Sequence, residues 1–401
     1  MSGLLWPGDD RAGNLMSEGA LLDAIVEVEQ AWLTALVRSG IAPKAAGHGL
    51  HGLVSTADLP ALASAAGDGG NPVIPLVTML RDRLPDPEAA RWLHRGLTSQ
   101  DVLDTALMRL ARDTVAAIRS SLRTQVVALA ELATVHRDTP MVARTLTQHA
   151  VPTTFGLKVA GWLTGILDAY DDLGGVRLPV QLGGAAGTLA ALVELGDNAS
   201  ARACVSAATR QLGLAESPPW HTTRTPVTRL GDAAVRCSDA WGRVANDVLA
   251  LGRPEIGELA EGRGGGGSST MPHKTNPVLS TLLRRAALAA PQLGATLHLA
   301  ATGQVDERAD GAWHAEWETL ALLLRRTAVA GSQATDLITG LRVRTDRMRA
   351  TLDAAGIDVL AEQRSMAAVA DRPPREGYRG LDTELVDAAV RRAHTVLNGA
   401  T

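Results

Sequence analysis

From Asp101 to Val135 the chain contains neither proline nor glycine. Across that stretch Leu107, Leu110, Val115, Ile118, Leu122, Val126, Leu129 and Ala133 fall on one helical stripe. Helices of globular proteins average about 11–12 residues. An apolar stripe this long needs equally long partners to cover it, which predicts a bundle of long helices. Composition agrees. Hydrophobic residues make up 46% of the 401, yet only 3% are aromatic: eight Trp, two Tyr and one Phe. β-Sheets draw heavily on aromatic and β-branched residues, so this balance excludes an all-β fold and predicts an all-α one. A net charge of −4 with 20% charged residues fits neither a nucleic-acid-binding nor a disordered chain.

Other helical patterns surround that stripe. Ser17 is the expected N-cap of a helix carrying Leu21, Leu22, Ile25, Val28, Trp32, Leu33 and Leu36, with Gly40 as its stop. From Pro43 to Pro87 the texture of Gly, Pro, His and Asp predicts short helices and loops. Long helices are expected near 153–173, 191–213, 228–251, 277–300 and 313–338. They are broken by the loop-forming runs VRLPVQLGGAAGT and ESPPWHTTRTP. A last amphipathic stretch covers 382–397. The resulting division is a small helical N-terminal domain (1–96), a long-helix bundle (97–340) and a short C-terminal helical domain (341–401). Cys204 and Cys237 lack metal or disulfide spacing and read as small buried thiols in a reducing compartment. With no secretory signal and no apolar run of about 20 residues, the expectation is a soluble, cytoplasmic protein.

The most informative segment is GRGGGGSSTMPHKTNP, Gly262 to Pro277. Gly264 to Gly267 cannot belong to a packed helix, because glycine loses the most backbone freedom on ordering. A GGGGS linker is one reading. Against it stand the strong helical patterns on both sides and the chemically loaded run Met271, Pro272, His273, Lys274, Asn276. A phosphate-binding loop needs Gly-Lys-Ser/Thr in succession, and here His273 precedes Lys274. The residues favour a mobile catalytic loop, with 262–272 expected to move when no ligand is bound.

The run GSSTMPHKTNP resembles the GSSxMPxKxNP signature of the fumarase/aspartase/argininosuccinate lyase superfamily at every fixed position. LTSQDVLDTALM, GNPVIPLV, RTLTQHAVPTTFGLK, VQLGGAAGTLAAL, PPWHTTR and GAWHAEWETL resemble its other blocks. Their form, PWHT and WHAEW above all, is much nearer to the 3-carboxy-cis,cis-muconate cycloisomerases than to adenylosuccinate lyase. The resemblance implies an all-α fold and a homotetramer with active sites shared between subunits. It also implies a small polycarboxylate substrate; the composition, the lack of a long apolar run and the lack of metal-ligand spacing or a dinucleotide fingerprint lead to the expectation of no nucleic acid, no membrane, no cofactor and no metal.

The implied chemistry forms or breaks a bond β to a carboxylate, with proton transfer at the α-carbon through an aci-carboxylate dianion. For the cycloisomerases this is lactonisation in the β-ketoadipate pathway of aromatic catabolism. One group must move the proton, and fixed donors must hold the dianion. Ser268 matches the family's catalytic base. Lys274 and Asn276, with Ser269 beside the base, match positions that bind the reacting carboxylate. Thr98, Ser99 and Gln100 match the block that holds substrate carboxylates. Read alone, Thr98 is also a helix N-cap with Asp101 as its capping-box partner, and the two roles are compatible because helix N-termini bind anions. Thr145 and Gln148 carry the same implied role from the third block. Arg308 matches a family arginine near the site, though in isolation it reads as a solvated charge.

Two departures stand out. The lyases carry Thr-His in the third block, whereas Leu146 follows Thr145 here. The cycloisomerases also tend to lack that histidine, which disfavours fumarase or adenylosuccinate lyase chemistry and leaves the second acid/base group open. His149, His221 and His94 lie in matching blocks, each equally open to a structural role. The C-terminal segment is also shorter than the family's third domain. Two further readings remain: a C–N or C–O lyase of a succinyl-type substrate, similar to adenylosuccinate lyase, and a catalytically silent scaffold on the same fold.

Overall fold

A computed structural model describes residues 3–262, 266, 267, 270, 271 and 274–399. It is all-α, 67% helical. In chain order the elements are α1 (Glu18–Arg38), α2 (Leu59–Gly69), α3 (Val73–Arg83), α4 (Pro87–Trp92), α5 (Ser99–Val135), β1 (Pro140–Thr145), β2 (Gln148–Thr154), α6 (Phe155–Gly174), α7 (Ala190–Leu195), α8 (Asn198–Leu212) and α9 (Thr225–Leu251). Then follow β3 (Leu259–Ala260), α10 (Val278–Thr302), α11 (Gly311–Thr339), β4 (Arg342–Val343), α12 (Thr345–Ala354), α13 (Ala361–Val369) and α14 (Asp382–Leu397). No helix of the described residues is long and apolar enough to cross a membrane.

The first helix forms as its sequence dictates. The Ser17 hydroxyl accepts from the Ala20 amide, and Gly40 takes a positive φ of 76° just beyond the end. The stripe on α5 is buried at Leu107, Val115, Ile118, Leu122, Val126, Leu129 and Ala133, with Leu110 half-buried. The helix expected near 191–213 is two helices. Asp197 interrupts it, accepting from the Ala199 and Ser200 amides as a new N-cap, so α8 restarts after α7.

Two compact units interleave along the sequence, with boundaries inside α5, α9, α10 and α11 and at the end of α6. The three sequence segments are contiguous; these units are not. The first comprises 1–117, 175–234 and 291–328. Within it α1 packs on α8, and Ile25, Trp32 and Leu36 of α1 are buried. The second comprises 118–174, 235–290 and 329–401. There α6 packs on α14, and Arg392 pairs with Asp168 and Asp171 at 2.6 and 2.7 Å. Its core holds Gln125 of α5, which accepts from Trp241 Nε1 at 2.8 Å and donates to the Gly331 carbonyl at 3.0 Å.

The third block is an antiparallel hairpin, β1 with β2, closed by Thr145 opposite Gln148. Helical periodicity gives no hint of it. Both turn residues, Leu146 and Thr147, take positive φ, 48° and 71°. Two-residue hairpin turns of this kind favour Asn-Gly, since side-chain-bearing residues are strained there. Leu146→Asn with Thr147→Gly should therefore raise the thermal unfolding midpoint, by about 1 kcal/mol or more of relieved strain. Calorimetry checks this, and an unchanged or lowered midpoint refutes it.

Candidate active site

The first unit gathers the second block, the VQLGG loop, the PPWHTTR segment and the start of α11. Thr98 precedes α5, and its amide donates to Asp101 Oδ2 at 3.0 Å, half of the expected capping box. Asp101 is wholly buried. Its carboxylate also accepts from the amides of Gly183 and Gly184 at 2.9 and 2.8 Å and from Gln181 Nε2 at 3.0 Å. The ring of His221, 5% exposed, places Nε2 3.1 Å from Asp101 Oδ1. His221 is thus engaged in holding loops together. Gln100 is buried too, donating to the His221 carbonyl at 2.8 Å and to Asp104 at 3.2 Å. Among the described residues, the Thr98 and Ser99 hydroxyls make no hydrogen bond. They sit half-buried at the positive end of a 37-residue helix.

One turn further along α5 lies a buried charge cluster. Arg224 donates to Asp104 at 2.6 and 3.1 Å and to Glu316 at 2.6 and 2.9 Å, and all three side chains are at most 2% exposed. Trp313 Nε1 donates to Asp104 at 3.0 Å, and the guanidinium lies 4.7 Å from the Trp220 ring centroid. Burial opposes the charge on Arg224, but the two carboxylates more than offset it and raise its pKa. Burial pushes the Glu316 carboxyl up, against the pull of Arg224. His94 pairs through Nδ1 with Glu29 at 2.5 Å. Arg308 is exposed and donates to the Ala185 carbonyl at 3.1 Å.

The second unit carries the hairpin and the signature segment. Thr145, Gln148 and His149 stand together near the exposed hairpin tip, and Leu146 is 95% exposed. Arg144 fixes the hairpin by a bidentate pair with the fully buried Glu258, at 2.8 and 3.1 Å. Glu261 caps α10, accepting from the Leu279 and Ser280 amides at 3.1 and 2.7 Å. Two glycines flanking the loop are there for close approach. A Cβ at Gly262 would meet the Gly340 carbonyl at 1.7 Å, and one at Gly266 the Asn276 carbonyl at 2.0 Å. The Asn276 amide donates to the Gly266 carbonyl at 2.8 Å, which leaves the Lys274 and Asn276 side chains without a partner among the described residues. Ser268 and Ser269, with 263–265, Pro272 and His273, lie outside the described residues, so the mobility expected of 262–272 falls largely outside them too.

A family model described as lyase matches residues 71–291. The chain is 45% identical over 381 residues to a nitrosuccinate lyase of Streptomyces davaonensis, covering 90% of this chain and 79% of that one. It is 40% identical over 381 residues to a 3-carboxy-cis,cis-muconate cycloisomerase of Bradyrhizobium diazoefficiens, covering 93% and 82%. The chain belongs to the fumarase/aspartase lyase superfamily. The crystal structure of the 3-carboxy-cis,cis-muconate lactonizing enzyme of Pseudomonas putida superposes on this lyase with a TM-score of 0.83 and 31% identity, over 96% of each chain. The protein is therefore an enzyme of this superfamily.

Sequence reading missed the carboxylates that fix the site: Asp104, Glu316, Glu258, Glu261 and Glu29. A signal existed for Asp104. It lies with Asp101 inside a run, Gln100 to Met108, that is otherwise largely apolar in sequence, and the structure buries the whole run. In this lyase, Arg224→Met should cost about 3–5 kcal/mol, because two buried carboxylates lose their cation. Adding Asp104→Asn and Glu316→Gln should recover much of that loss. Urea unfolding of the single and triple variants checks both; a stable single variant would refute the assignment.

Proposed function

We propose that this lyase makes or breaks a bond β to a carboxylate of a small polycarboxylate, lactonising 3-carboxy-cis,cis-muconate through an aci-carboxylate intermediate. The observation that carries the reading is Leu146. A histidine beside Thr145 would supply a proton to a basic leaving group; the exposed leucine there has none to give. Lactonisation needs none, since its nucleophile is already a carboxylate and, in reverse, the departing group is a carboxylate. A second reading is supported by the 45% identical relative: elimination of nitrite from nitrosuccinate. Nitrite is likewise the anion of a fairly strong acid and departs unaided. Both readings share one demand, a proton moved at carbon while donors hold a dianion.

The roles follow residue by residue. Ser268 moves the proton: its hydroxyl gives it in lactonisation, and its alkoxide takes it in elimination. Lys274 and Asn276 stabilise the developing dianion, one with charge and one as a neutral donor, and Ser269 stands beside them. Thr98 and Ser99 present unengaged hydroxyls at a helix N-terminus, suited to a second carboxylate. Thr145 and Gln148 complete the clamp. Gln100 and Arg308 belong to the same set, Gln100 by holding the segment from within. Because these groups sit on separate units of the fold, we further propose a homotetramer whose sites draw on several copies. The compartment proposed is the cytoplasm.

Turnover of 3-carboxymuconate, nitrosuccinate and adenylosuccinate by the same preparation separates the readings. Activity on adenylosuccinate alone would overturn both. On the true substrate, Ser268→Ala should lower kcat by about 10²–10³ or more while leaving KM nearly unchanged. Lys274→Met should worsen kcat and KM together, because its carboxylate is charged before the reaction and doubly charged during it. Near-wild-type turnover by Ser268→Ala would move the proton transfer to another group.

A further inference from the structure

We infer that Glu29 is a positioning residue that holds His94 as a cationic hydrogen-bond donor, its Nε2–H directed to a carboxylate of the substrate. The inference rests on the polycarboxylate reading above. Glu29 lies on α1 with its side chain fully buried, and Oε1 meets His94 Nδ1 at 2.5 Å. Its other oxygen, Oε2, is buried with no hydrogen-bond partner among the described residues. A buried carboxylate so poorly solvated requires a cation, and the imidazolium is the group in contact with it. No hydrogen bond among the described residues reaches His94 Nε2, and the side chain retains 18% exposure.

The loop around His94 does not need that imidazole for its own order. Trp32 Nε1 donates to the Arg95 carbonyl at 2.7 Å, and Arg81 donates to the Leu93 carbonyl at 2.8 Å. His94 itself takes φ of 65°, a left-handed conformation that glycine or asparagine would adopt with less strain. A histidine kept there at that cost, its Nδ1 committed and its Nε2 unengaged, is built to present one nitrogen. Three charged groups act on it from three elements: Glu29 of α1 by contact, and Arg81 of α3 and Asp101 at the start of α5 through their charge. Burial lowers its pKa, the pair with Glu29 raises it, Arg81 opposes and Asp101 adds. The net direction is upward from 6.5. The cation therefore persists to higher pH than in an ordinary histidine and is lost as pH rises through the raised value. His94 lies in the turn that leads into α5, its carbonyl accepting from the Leu97 amide at 3.4 Å, so the residue stands at the approach to the helix start that carries the Thr98 and Ser99 hydroxyls.

Calorimetric titration of the full-length protein with tricarballylate, a non-reacting tricarboxylate, tests this between about pH 5 and pH 8. Wild-type affinity should hold through neutral pH and fall above it. In Glu29→Gln that fall should move to lower pH, leaving affinity near wild type at the acid end and roughly tenfold weaker at neutral pH for each unit of pKa lost. His94→Asn should abolish the pH-dependent arm altogether, and it alone decides the matter should the buried substitution at 29 fail to fold. Superimposable wild-type and Glu29→Gln curves, an unchanged arm in His94→Asn, or no tricarballylate binding by wild type at the acid end would each overturn the inference. Turnover assays are a separate readout. If both proposed substrates are inert while the calorimetric pattern appears, the reaction assigned above falls and the Glu29–His94 pair stands.

Discussion

Arg224 is the residue on which the rest of the candidate site depends. Its guanidinium binds Asp104 of α5 and Glu316 of α11 at once, in a place from which water is excluded. Such clusters add little net stability, since desolvation consumes most of the attraction, but they tolerate almost no misplacement. A shift of the PPWHTTR segment would leave two carboxylates without a cation. The cluster therefore fixes, to within a hydrogen bond, which backbone can approach the first turns of α5. Asp101, one turn earlier, extends the constraint to the glycine loop through the amides of Gly183 and Gly184. The Thr98 and Ser99 hydroxyls are left over by this arrangement, and being left over is what makes them available to a ligand.

The second unit solves the same problem with different residues. Arg144 against Glu258 sets the hairpin, and Glu261 sets the start of α10. In each case a buried or capping carboxylate orders the backbone, while among the described residues the Thr98, Ser99, Lys274 and Asn276 side chains, proposed to meet substrate, remain unengaged. Rigidity is supplied by acidic residues and recognition by neutral or cationic ones. That division suits a polyanionic substrate, because the negative charges of the framework are already satisfied by protein donors and do not repel it.

How much of this is legible in the sequence depends on the range of the interaction. The Ser17 cap and the α5 stripe are local features, carried by spacing within a few turns, and they appear where the spacing puts them. The hairpin at Leu146–Thr147 is not legible, since its turn lacks the Asn-Gly chemistry that announces one and its strands are short. The break at Asp197 was available, because Asp followed three residues later by Ser is a cap signal, but the apolar pattern across it hides the stop. Arg224, Glu316 and Glu258 are visible only as charged residues in quoted or neighbouring blocks. Their partners lie many turns away in sequence, and no periodicity connects them.

The exposed leucine at the hairpin tip ties the framework to the chemistry. An enzyme that expels a basic group must place an acid near it, and that acid must be held and tuned by neighbours of its own. Where the departing group is itself a stable anion, such an acid would be idle, and a histidine there would add only a site needing desolvation. The protein's remaining requirement is then to hold negative charge on both sides of the breaking bond. On the proposed reading, Lys274, Asn276, the start of α5 and the Glu29–His94 pair all serve that one end as donors. On that reading, a site built from donors, with one proton-moving group and no acid at the Leu146 position, is selective by leaving group rather than by carbon skeleton. On this reading, a lactone carboxylate and nitrite satisfy that selection equally.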